Sequence, residues 1–332
     1  MAVRGNRTAY VLTGGDSLGA VQVGMMTALH DCGITPDLVV GTSVGAVSAA
    51  YLAGPGATGR RLAELAVLWK GMRRRDVFVA DPRRWLRAAR GAAPSMFSSE
   101  PLRRLLATHL SYDAFEDARV ELVVTATDVV TGAPLFLSTG SVVDAISASA
   151  AVPGILPPVR LGERTLVDGA VGHAGALAYA DAHGVDDIYL LPAGYPCAGP
   201  AASGALGIAL TALNLLLHRQ LIDEVKTYRG RARLHVAPPL CPLAVSSADF
   251  DQAELLMTRA RQSTRDWLNE SFARPTDTRQ GADAEYLAFH ARHRERRRAP
   301  STQTPESVQP VGRHDTPPYR VDRRPSGAGQ PR

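Results

Sequence analysis

One pentapeptide of the sequence combines a nucleophilic hydroxyl with the glycines that a sharp turn requires. Residues 41–45 read GTSVG, a GxSxG motif between an apolar run and a segment of small residues. When this motif joins a strand to a helix, the turn lifts the serine hydroxyl above the sheet. The N–H groups at the start of the helix point to the same space, where they can stabilise an oxyanion. We therefore expect Ser43 to attack an acyl carbonyl.

A serine hydroxyl becomes a nucleophile when a neighbouring base takes its proton, and histidine is a common base. The sequence holds nine histidines. Eight fall in predicted helices, in a predicted strand or in the polar C-terminal region, where a solvated or structural role is expected. His173 differs from these, because it follows Asp168 by five positions. On the residues alone, a serine–histidine pair remains an alternative.

A second glycine-rich turn follows the first apolar run of the chain. The run at residues 9–13 (AYVLT) leads into residues 14–19 (GGDSLG), after which apolar residues recur at helical spacing. Backbone N–H groups in such a turn can hold an oxyanion or the phosphates of a dinucleotide. The turn lacks the third-position glycine of GxGxxG, and the Asp16 carboxylate would repel a pyrophosphate. These details argue against a dinucleotide. The absence of GxxxxGK[ST] and HExxH motifs likewise indicates no nucleoside triphosphate, metal or other cofactor.

The two turns imply the elements that position them. Two strand-turn-helix units in succession predict an α/β protein with a mostly parallel sheet and helices on its faces. Further strands are expected at residues 120–127, 134–138, 188–191 and 232–236, with a hairpin at 161–167. Helices are expected at residues 19–32, 46–52, 142–151, 205–217 and 249–269, and in the arginine-rich segment 59–109 with breaks at 81–82 and 91–100.

Three separated motifs together resemble the patatin-like phospholipase family. Residues 14–19 are similar to its glycine-rich oxyanion loop, residues 41–45 to its nucleophile elbow, and residues 168–170 (DGA) to its Asp-Gly-Gly/Ala motif. Residues 148–158 (ASAAVPGILPP) lead into the aspartate motif as they do in the family. The resemblance covers residues 10–191 and continues more weakly to about residue 269. It implies a three-layer α/β fold with helices on both faces of a mostly parallel central sheet.

The resemblance also implies a reaction and its residues. It makes Ser43 the nucleophile and Asp168 the general base of a dyad that uses no histidine. The expected reaction is hydrolysis of carboxylic esters of lipids, as in a phospholipase A, a lysophospholipase or an esterase, through an acyl-enzyme and without a cofactor or metal. The implied oxyanion hole consists of backbone N–H groups of Gly14, Gly15, Asp16 and Val44, and the remaining motif positions are Gly19, Gly41, Gly45, Gly169 and Ala170.

Some positions depart from the family pattern. Asp16 stands where the family has glycine, and Leu18 stands where it often has a cation. An inward-pointing Asp16 carboxylate would oppose the developing oxyanion, whereas an outward-pointing one would stabilise the turn or the helix that follows. Residues 172–175 (GHAG) replace asparagines and a proline of the family. A degenerate member that binds lipid or protein with little or no turnover is therefore the alternative function.

The positive charge of the chain is concentrated near its C-terminus. The formal net charge is +5, and residues 272–332 hold 12 arginines against 7 acidic residues, so the remainder is neutral. A neutral body offers no basic face for nucleic acid. The sequence predicts a short lead at residues 1–8, a hydrolase domain at 9–270 and an Arg- and Pro-rich disordered tail at 271–332.

The three cysteines are odd in number and widely spaced, which indicates neither a disulfide framework nor a CxxC metal site and favours a cytoplasmic location. The helix expected at residues 205–217 is too short to span a bilayer. It is expected to pack in the core, to line an acyl channel or to touch a membrane face. The predicted partners are an acyl-ester or lipid substrate and, at the periphery of the protein, a membrane. The oligomeric state does not follow from the sequence.

Overall fold

The computed structural model describes residues 6–15, 18–172, 175–194, 204–240, 243 and 249–272. In this part of the chain, eight strands form one mixed sheet in which parallel pairs predominate at the centre. Antiparallel pairs complete one side of it. The strands are β1 (Thr8–Leu12), β2 (Leu38–Thr42), β3 (Glu121–Asp128), β4 (Pro134–Leu137), β5 (Val159–Leu161), β6 (Arg164–Asp168), β7 (Asp187–Leu191) and β8 (Arg233–Val236).

The central strands are covered on both faces. The strand order is β5-β6-β3-β2-β1-β7-β8, with β4 also paired to β3. Every residue of β1, β2 and β7 is buried, which requires helices on both sides. Along β1, Tyr10 and Leu12 pack in a larger apolar core, whereas Ala9 and Val11 pack in a smaller one on the other face. The predicted three-layer α/β fold is therefore confirmed.

The helices divide between these two cores. The helices of the described residues are α1 (Gly19–Asp31), α2 (Val44–Ala53), α3 (Thr58–Gly71), α4 (Arg74–Val77), α5 (Pro82–Ala89), α6 (Glu100–His109), α7 (Val142–Ser149), α8 (Ala176–Ala182), α9 (Ala205–Thr227) and α10 (Ala253–Phe272). Helices α1, α2, α3, α6, α7 and α10 contribute to the larger core, whereas α8 and the second half of α9 cover the smaller one.

Helix α1 provides a rigid base for the first glycine turn. It is buried along most of its length and packs against α10. At Gly24 the two helices come into backbone contact, because a Cβ there would overlap the carbonyl oxygen of Met257 and lie 2.9 Å from the Cβ of Ala260. Such close packing leaves little freedom for the helix to shift. The turn that precedes α1 is thus anchored at its C-terminal end.

Helix α9 is longer than the sequence pattern predicted. The predicted helix ended at residue 217, but α9 continues to Thr227 because Leu221, Ile222 and Val225 pack on the smaller core. Its first half is not the core helix that the apolar sequence favoured, since Ile208, Leu215 and Leu216 are exposed. Within the described ranges, no helix has both the length and the apolar character needed to cross a membrane.

The helical segment expected at His183 is the short helix α8, which has seven residues and His183 as its C-cap. Most other elements agree with the prediction to within a few residues. The proposed division of the chain at residues 8 and 270 stays a prediction, and residues 273–332 lie outside the described part.

Candidate active site

Ser43 occupies a strained turn between β2 and α2. Its backbone has φ 55° and ψ −123°, and among the described residues it is the one non-glycine residue with a positive φ. A side chain at either flanking glycine would collide with backbone. A Cβ at Gly41 would lie 2.5 Å from Cα of Ala46, and one at Gly45 would overlap the carbonyl oxygen of Leu12. Strain of this kind persists where the surrounding structure enforces it, commonly at active sites.

The turn is held by a hydrogen bond from its own backbone. The N–H of Ser43 donates to Oγ of Ser149 on α7, with N and O 2.8 Å apart. Both residues are buried, and the exposed fraction of Ser43 is 7%. One position earlier, Oγ1 of Thr42 accepts a 2.8 Å hydrogen bond from Oγ1 of Thr125 on β3. These two contacts tie the elbow to α7 and to the neighbouring strand.

Asp168 lies at the end of β6 and is held by backbone contacts. Its N–H donates to the carbonyl oxygen of Ala151 at 3.0 Å, and its Oδ1 accepts from the N–H of Ala170 at 2.9 Å. The side chain is turned into the protein, because the residue is only 3% exposed. A Cβ at Gly169 would lie 2.5 Å from the carbonyl oxygen of Thr125 and would also overlap the hydroxyl of that residue. The absence of a side chain at position 169 therefore lets the aspartate turn approach β3.

Ser43 and Asp168 line the same cavity, whose volume is about 320 Å³. The two predicted dyad residues, 125 positions apart in sequence, are thus brought to one site. An apolar pocket with few polar groups suits an acyl chain and excludes water from it. Apolar side chains from several elements contribute to its wall, among them Trp69, Met72, Phe78, Phe97, Leu102 and Leu213.

The described part of the first glycine turn reaches Ser43. A Cβ at Gly14 would lie 3.2 Å from Cβ of Ser43 and 3.8 Å from its Oγ. Gly15 also lines the cavity, and a Cβ there would lie 2.5 Å from Cβ of Ala193. The absence of a side chain at position 14 therefore lets the turn pack against Ser43. Asp16 lies outside the described residues.

Two more predicted positions lie at the start of the helices that follow the turns. Val44 is the first residue of α2 and lines the cavity. Gly19 is the first residue of α1, and a Cβ there would lie 2.5 Å from Cζ2 of Trp69 and 2.7 Å from Cγ2 of Val44. Leu18, which stands where the family often has a cation, is fully buried in the larger core. Position 18 therefore brings no charge to the site.

Gln22 holds the base of the glycine turn, a role that sequence reasoning missed. Its Nε2 donates to the carbonyl oxygens of Thr13, at 2.8 Å, and Leu191, at 3.0 Å. The residue is fully buried on α1. One amide thus links the end of β7 to the peptide that precedes Gly14. Ser149 was missed as well, although it lies in the segment that leads into the aspartate motif.

The histidines separate into structural and cavity-lining residues. His235 contacts Oδ1 of Asp187 at 2.8 Å, and Nδ1 of His183 lies 2.8 Å from the carbonyl oxygen of Tyr179. His218 on α9 lines the cavity. His173 lies outside the described residues. Across the described ranges, no group of three His, Cys, Asp or Glu side chains could hold a metal ion.

The chain resembles several known proteins over part of its length. It is 27% identical over 169 residues to an uncharacterized NTE family protein of Mycobacterium tuberculosis (strain CDC 1551 / Oshkosh), covering 51% of this chain and 27% of that protein. It is 27% identical over 155 residues to patatin-like phospholipase domain-containing protein 7 of Mus musculus, covering 47% of this chain and 11% of that protein. The chain thus spans about a quarter of the first relative and about a tenth of the second.

Among solved structures, VipD from Legionella pneumophila aligns with a TM-score of 0.41 and 13% identity, covering 85% of this chain and 67% of that one. The sequence model of the patatin-like phospholipase family matches residues 10–181. This region is more than half of the chain and contains all three motifs around the cavity. The chain therefore belongs to the patatin-like phospholipase family, as its motifs predicted.

Proposed function

We propose that the protein hydrolyses carboxylic ester bonds of lipids through a dyad of Ser43 and Asp168. The observation that carries this proposal is a hydroxyl on a strained GxSxG turn and a buried carboxylate that line one apolar cavity. Membership of the family supports a lipid hydrolase in general terms. The dyad, the substrate and the cytoplasmic location expected from the cysteines are proposals for this chain.

In the first half of the proposed reaction, Ser43 Oγ attacks the ester carbonyl carbon while the Asp168 carboxylate takes the hydroxyl proton. Burial of Asp168 removes water that would otherwise compete as its hydrogen-bond partner. The backbone N–H groups of Gly14 and Gly15, with those of Asp16 and Val44 as further candidates, stabilise the oxyanion of the tetrahedral intermediate. Collapse of the intermediate breaks the bond to the alcohol, which leaves with the proton from Asp168. An acyl group remains on Ser43.

In the second half, Asp168 takes a proton from water, and the resulting hydroxide attacks the acyl carbonyl carbon. The second tetrahedral intermediate collapses to free fatty acid, and Ser43 regains its proton from Asp168. The apolar wall around Trp69 and Phe97 supports an acyl chain as the bound part of the substrate. The same two side chains therefore act in both halves, and neither half requires a metal.

The test combines covalent labelling with turnover of a soluble short-chain ester. A fluorophosphonate is expected to label Ser43 in the wild type and to leave Ser43→Ala unlabelled. Ser43→Ala and Asp168→Asn should each lower kcat by about 1000-fold or more, because nucleophile and base act as one unit. Asp113→Asn serves as a matched control, since Asp113 is exposed and far along the chain from both motifs. Full turnover by folded Asp168→Asn would refute the dyad.

A binding module without turnover is the second candidate. Burial of Leu18 favours it, because a family position that often carries a cation contributes no charge here. This candidate predicts that the wild type resists the fluorophosphonate while still binding a fluorescent fatty acid. Stoichiometric labelling of Ser43 would exclude it.

A further inference from the structure

A short segment beside the cavity carries a large share of the positive charge of the protein. Residues 73–90 contain seven arginines and two aspartates, a formal charge of +5. The other residues between 1 and 271 comprise 18 basic and 23 acidic residues, a formal charge of −5. Charge in this part of the chain is therefore separated, although its sum is zero. A separation of this size orients a protein at a charged surface.

The aspartates of this arginine segment are used as helix caps. Oδ2 of Asp76 accepts from the N–H of Arg73 at 2.7 Å, and Oδ1 of Asp81 accepts from the N–H of Arg83 at 3.0 Å. These carboxylates hold the local backbone rather than the guanidinium groups. Apart from Arg73, which pairs with Asp251, the arginines of the segment form no ion pair with any described residue. Arg84 and Arg87 donate instead to Oγ of Ser95 and to the carbonyl oxygen of Ala92, which leaves their charges unneutralised.

Helix α5, which belongs to this segment, is amphipathic but lies at the surface of the core. None of its residues is buried. Pro82, Trp85, Leu86 and Ala89 follow helical spacing along one stripe, and Trp85 and Leu86 are 38% and 52% exposed. Arg83 and Arg87, followed by Arg90 just after the helix, form a separate stripe. Tryptophan and leucine beside arginine are typical of helices that lie in a membrane interface.

The arginine segment is continuous with the cavity wall. The ring of Trp85 packs edge-on against Phe97 with centroids 6.1 Å apart, and Phe97 packs against Phe78 at 5.3 Å. Phe78, Phe97 and Arg74 line the cavity that contains Ser43. The exposed tryptophan is therefore one aromatic ring away from the site in which an acyl chain would lie.

We propose that residues 73–90 dock the protein on the surface of a membrane that contains anionic lipid. Trp85 and Leu86 enter the headgroup region, and the unpaired arginines bind lipid phosphates and carboxylates. Docking on this segment places the cavity wall against the bilayer that supplies the acyl chain. The delivery of substrate rests on the proposed function, whereas the docking itself requires no turnover.

The test measures co-sedimentation of the full chain with vesicles of phosphatidylcholine, with and without phosphatidylserine. The chain carries Ser43→Ala throughout, so that lipid is not consumed and binding is separated from hydrolysis. Strong binding is expected only with phosphatidylserine. The triple variant Arg83→Gln, Arg87→Gln and Arg90→Gln should weaken it by about 100-fold, from roughly a factor of five for each basic residue. Equal binding to both kinds of vesicle would overturn the proposal.

Two triple variants with the same change in charge serve as controls. The first combines Arg160→Gln, Arg164→Gln and Arg229→Gln at exposed positions elsewhere in the fold. The second combines Arg296→Gln, Arg297→Gln and Arg298→Gln in the C-terminal region. Both are expected to bind within about threefold of the parent chain. A loss confined to the C-terminal triple, or equal losses in all three, would overturn the proposal in favour of a tail tether or of net charge alone.

Tryptophan emission supplies an independent measurement on the same chain. Binding to phosphatidylserine vesicles should shift the emission to the blue, and Trp85→Phe should remove most of this shift, since Trp69 is buried and Trp267, the third tryptophan, is half-buried on α10. An unchanged shift in Trp85→Phe would contradict docking through α5.

Hydrolysis of a soluble ester separates docking from turnover. With Ser43 intact, the Arg83, Arg87 and Arg90 triple variant should hydrolyse this ester at the normal rate. If Ser43→Ala itself retained hydrolysis, the dyad would be refuted while the vesicle result would stand.

Discussion

Two buried aspartates lie at opposite ends of the parallel strands, and their surroundings differ. One edge of the sheet is formed by the C-terminal ends of these strands and the other by their N-terminal ends. Asp168 ends β6 beside the C-terminal end of β3, lines an apolar cavity and accepts from the backbone N–H of Ala170. Asp187 begins β7 at the N-terminal edge. Its carboxylate accepts hydrogen bonds from Arg233 and Asn6 and contacts the ring of His235. The same residue type is thus a candidate base at one edge and the centre of an ion-pair cluster at the other.

The pKa of Asp187 is determined by its burial and by the contacts of its carboxylate. Burial raises this pKa, but hydrogen bonds from His235 and Arg233 and the charge of Arg233 outweigh burial, so the pKa lies below its usual value. A carboxylate held ionised in this way is a poor proton acceptor. The side-chain donors around Asp187 therefore account for its role: they keep the carboxylate ionised and fix its position at the start of β7.

The largest expected effect comes from exchanging each aspartate for asparagine. Asp168→Asn should lower kcat by about 1000-fold or more while changing the free energy of unfolding by less than about 1 kcal/mol. Asp187→Asn should leave kcat almost unchanged but destabilise the fold by about 2 kcal/mol, because Arg233 loses its charged acceptor. Ester turnover and urea unfolding measure the two quantities. Similar losses of activity in both variants would contradict the different roles proposed for the two aspartates.

The next effect concerns the close packing of the turn around Ser43. Gly45→Ala is expected to destabilise the fold by about 3 kcal/mol, because its Cβ would overlap the backbone oxygen of Leu12. The shift of the elbow should also lower kcat by about 100-fold. Gly71→Ala is the matched control, since no atom lies within 4 Å of a Cβ there. A tolerated Gly45→Ala, measured by urea unfolding, would contradict this account of the turn.

A smaller effect is expected from Gln22, which we regard as a positioning residue. Gln22→Met keeps the size of the side chain but removes both hydrogen bonds to Thr13 and Leu191, and kcat should fall about tenfold with little change in KM. Gln22→Glu can donate only when protonated, so its activity relative to wild type should rise as pH falls. A pH-independent ratio for Gln22→Glu would argue for a purely structural role.

The smallest expected effect is the pH dependence of the stability that Asp187 contributes to the fold. Because the folded-state pKa of Asp187 is depressed, its stabilising contribution is present above the unfolded pKa of about 3.9 and is lost as pH falls through the folded value. The stability difference between wild type and Asp187→Asn should therefore be nearly constant above about pH 5 and shrink below pH 4. Urea unfolding across this range measures it. A difference that grew toward low pH would have the wrong sign.

The sequence predicted correctly those parts of the molecule whose structure depends on the local sequence. The GxSxG turn, the strand before it and the helix after it depend on neighbouring residues, so their structure was readable from residues 38–52. The family resemblance supplied Asp168, and the structure brings it to the same cavity as Ser43. Its role as the base stays a prediction, as do the oxyanion donors.

The residues that sequence reasoning missed act across long separations. Ser149 binds the backbone of a residue 106 positions away, and Gln22 binds Leu191 across 169 positions. No local spacing encodes such contacts, because they arise only when the sheet and its helices have assembled. The exposure of Leu215 and Leu216 could not be predicted from the local sequence either, since an apolar helix is equally compatible with a core, a channel wall and a surface.

The backbone of Ser43 has a consequence for the evolution of this fold. A residue with φ 55° and ψ −123° occupies a region that glycine adopts freely and serine does not. Ser43→Gly should therefore raise the stability of the protein by about 1 kcal/mol, which Ser43→Ala cannot do. Selection for stability alone would therefore favour replacement of serine by glycine at this position. Retention of serine in a lineage would then be a sign that its hydroxyl is under functional selection.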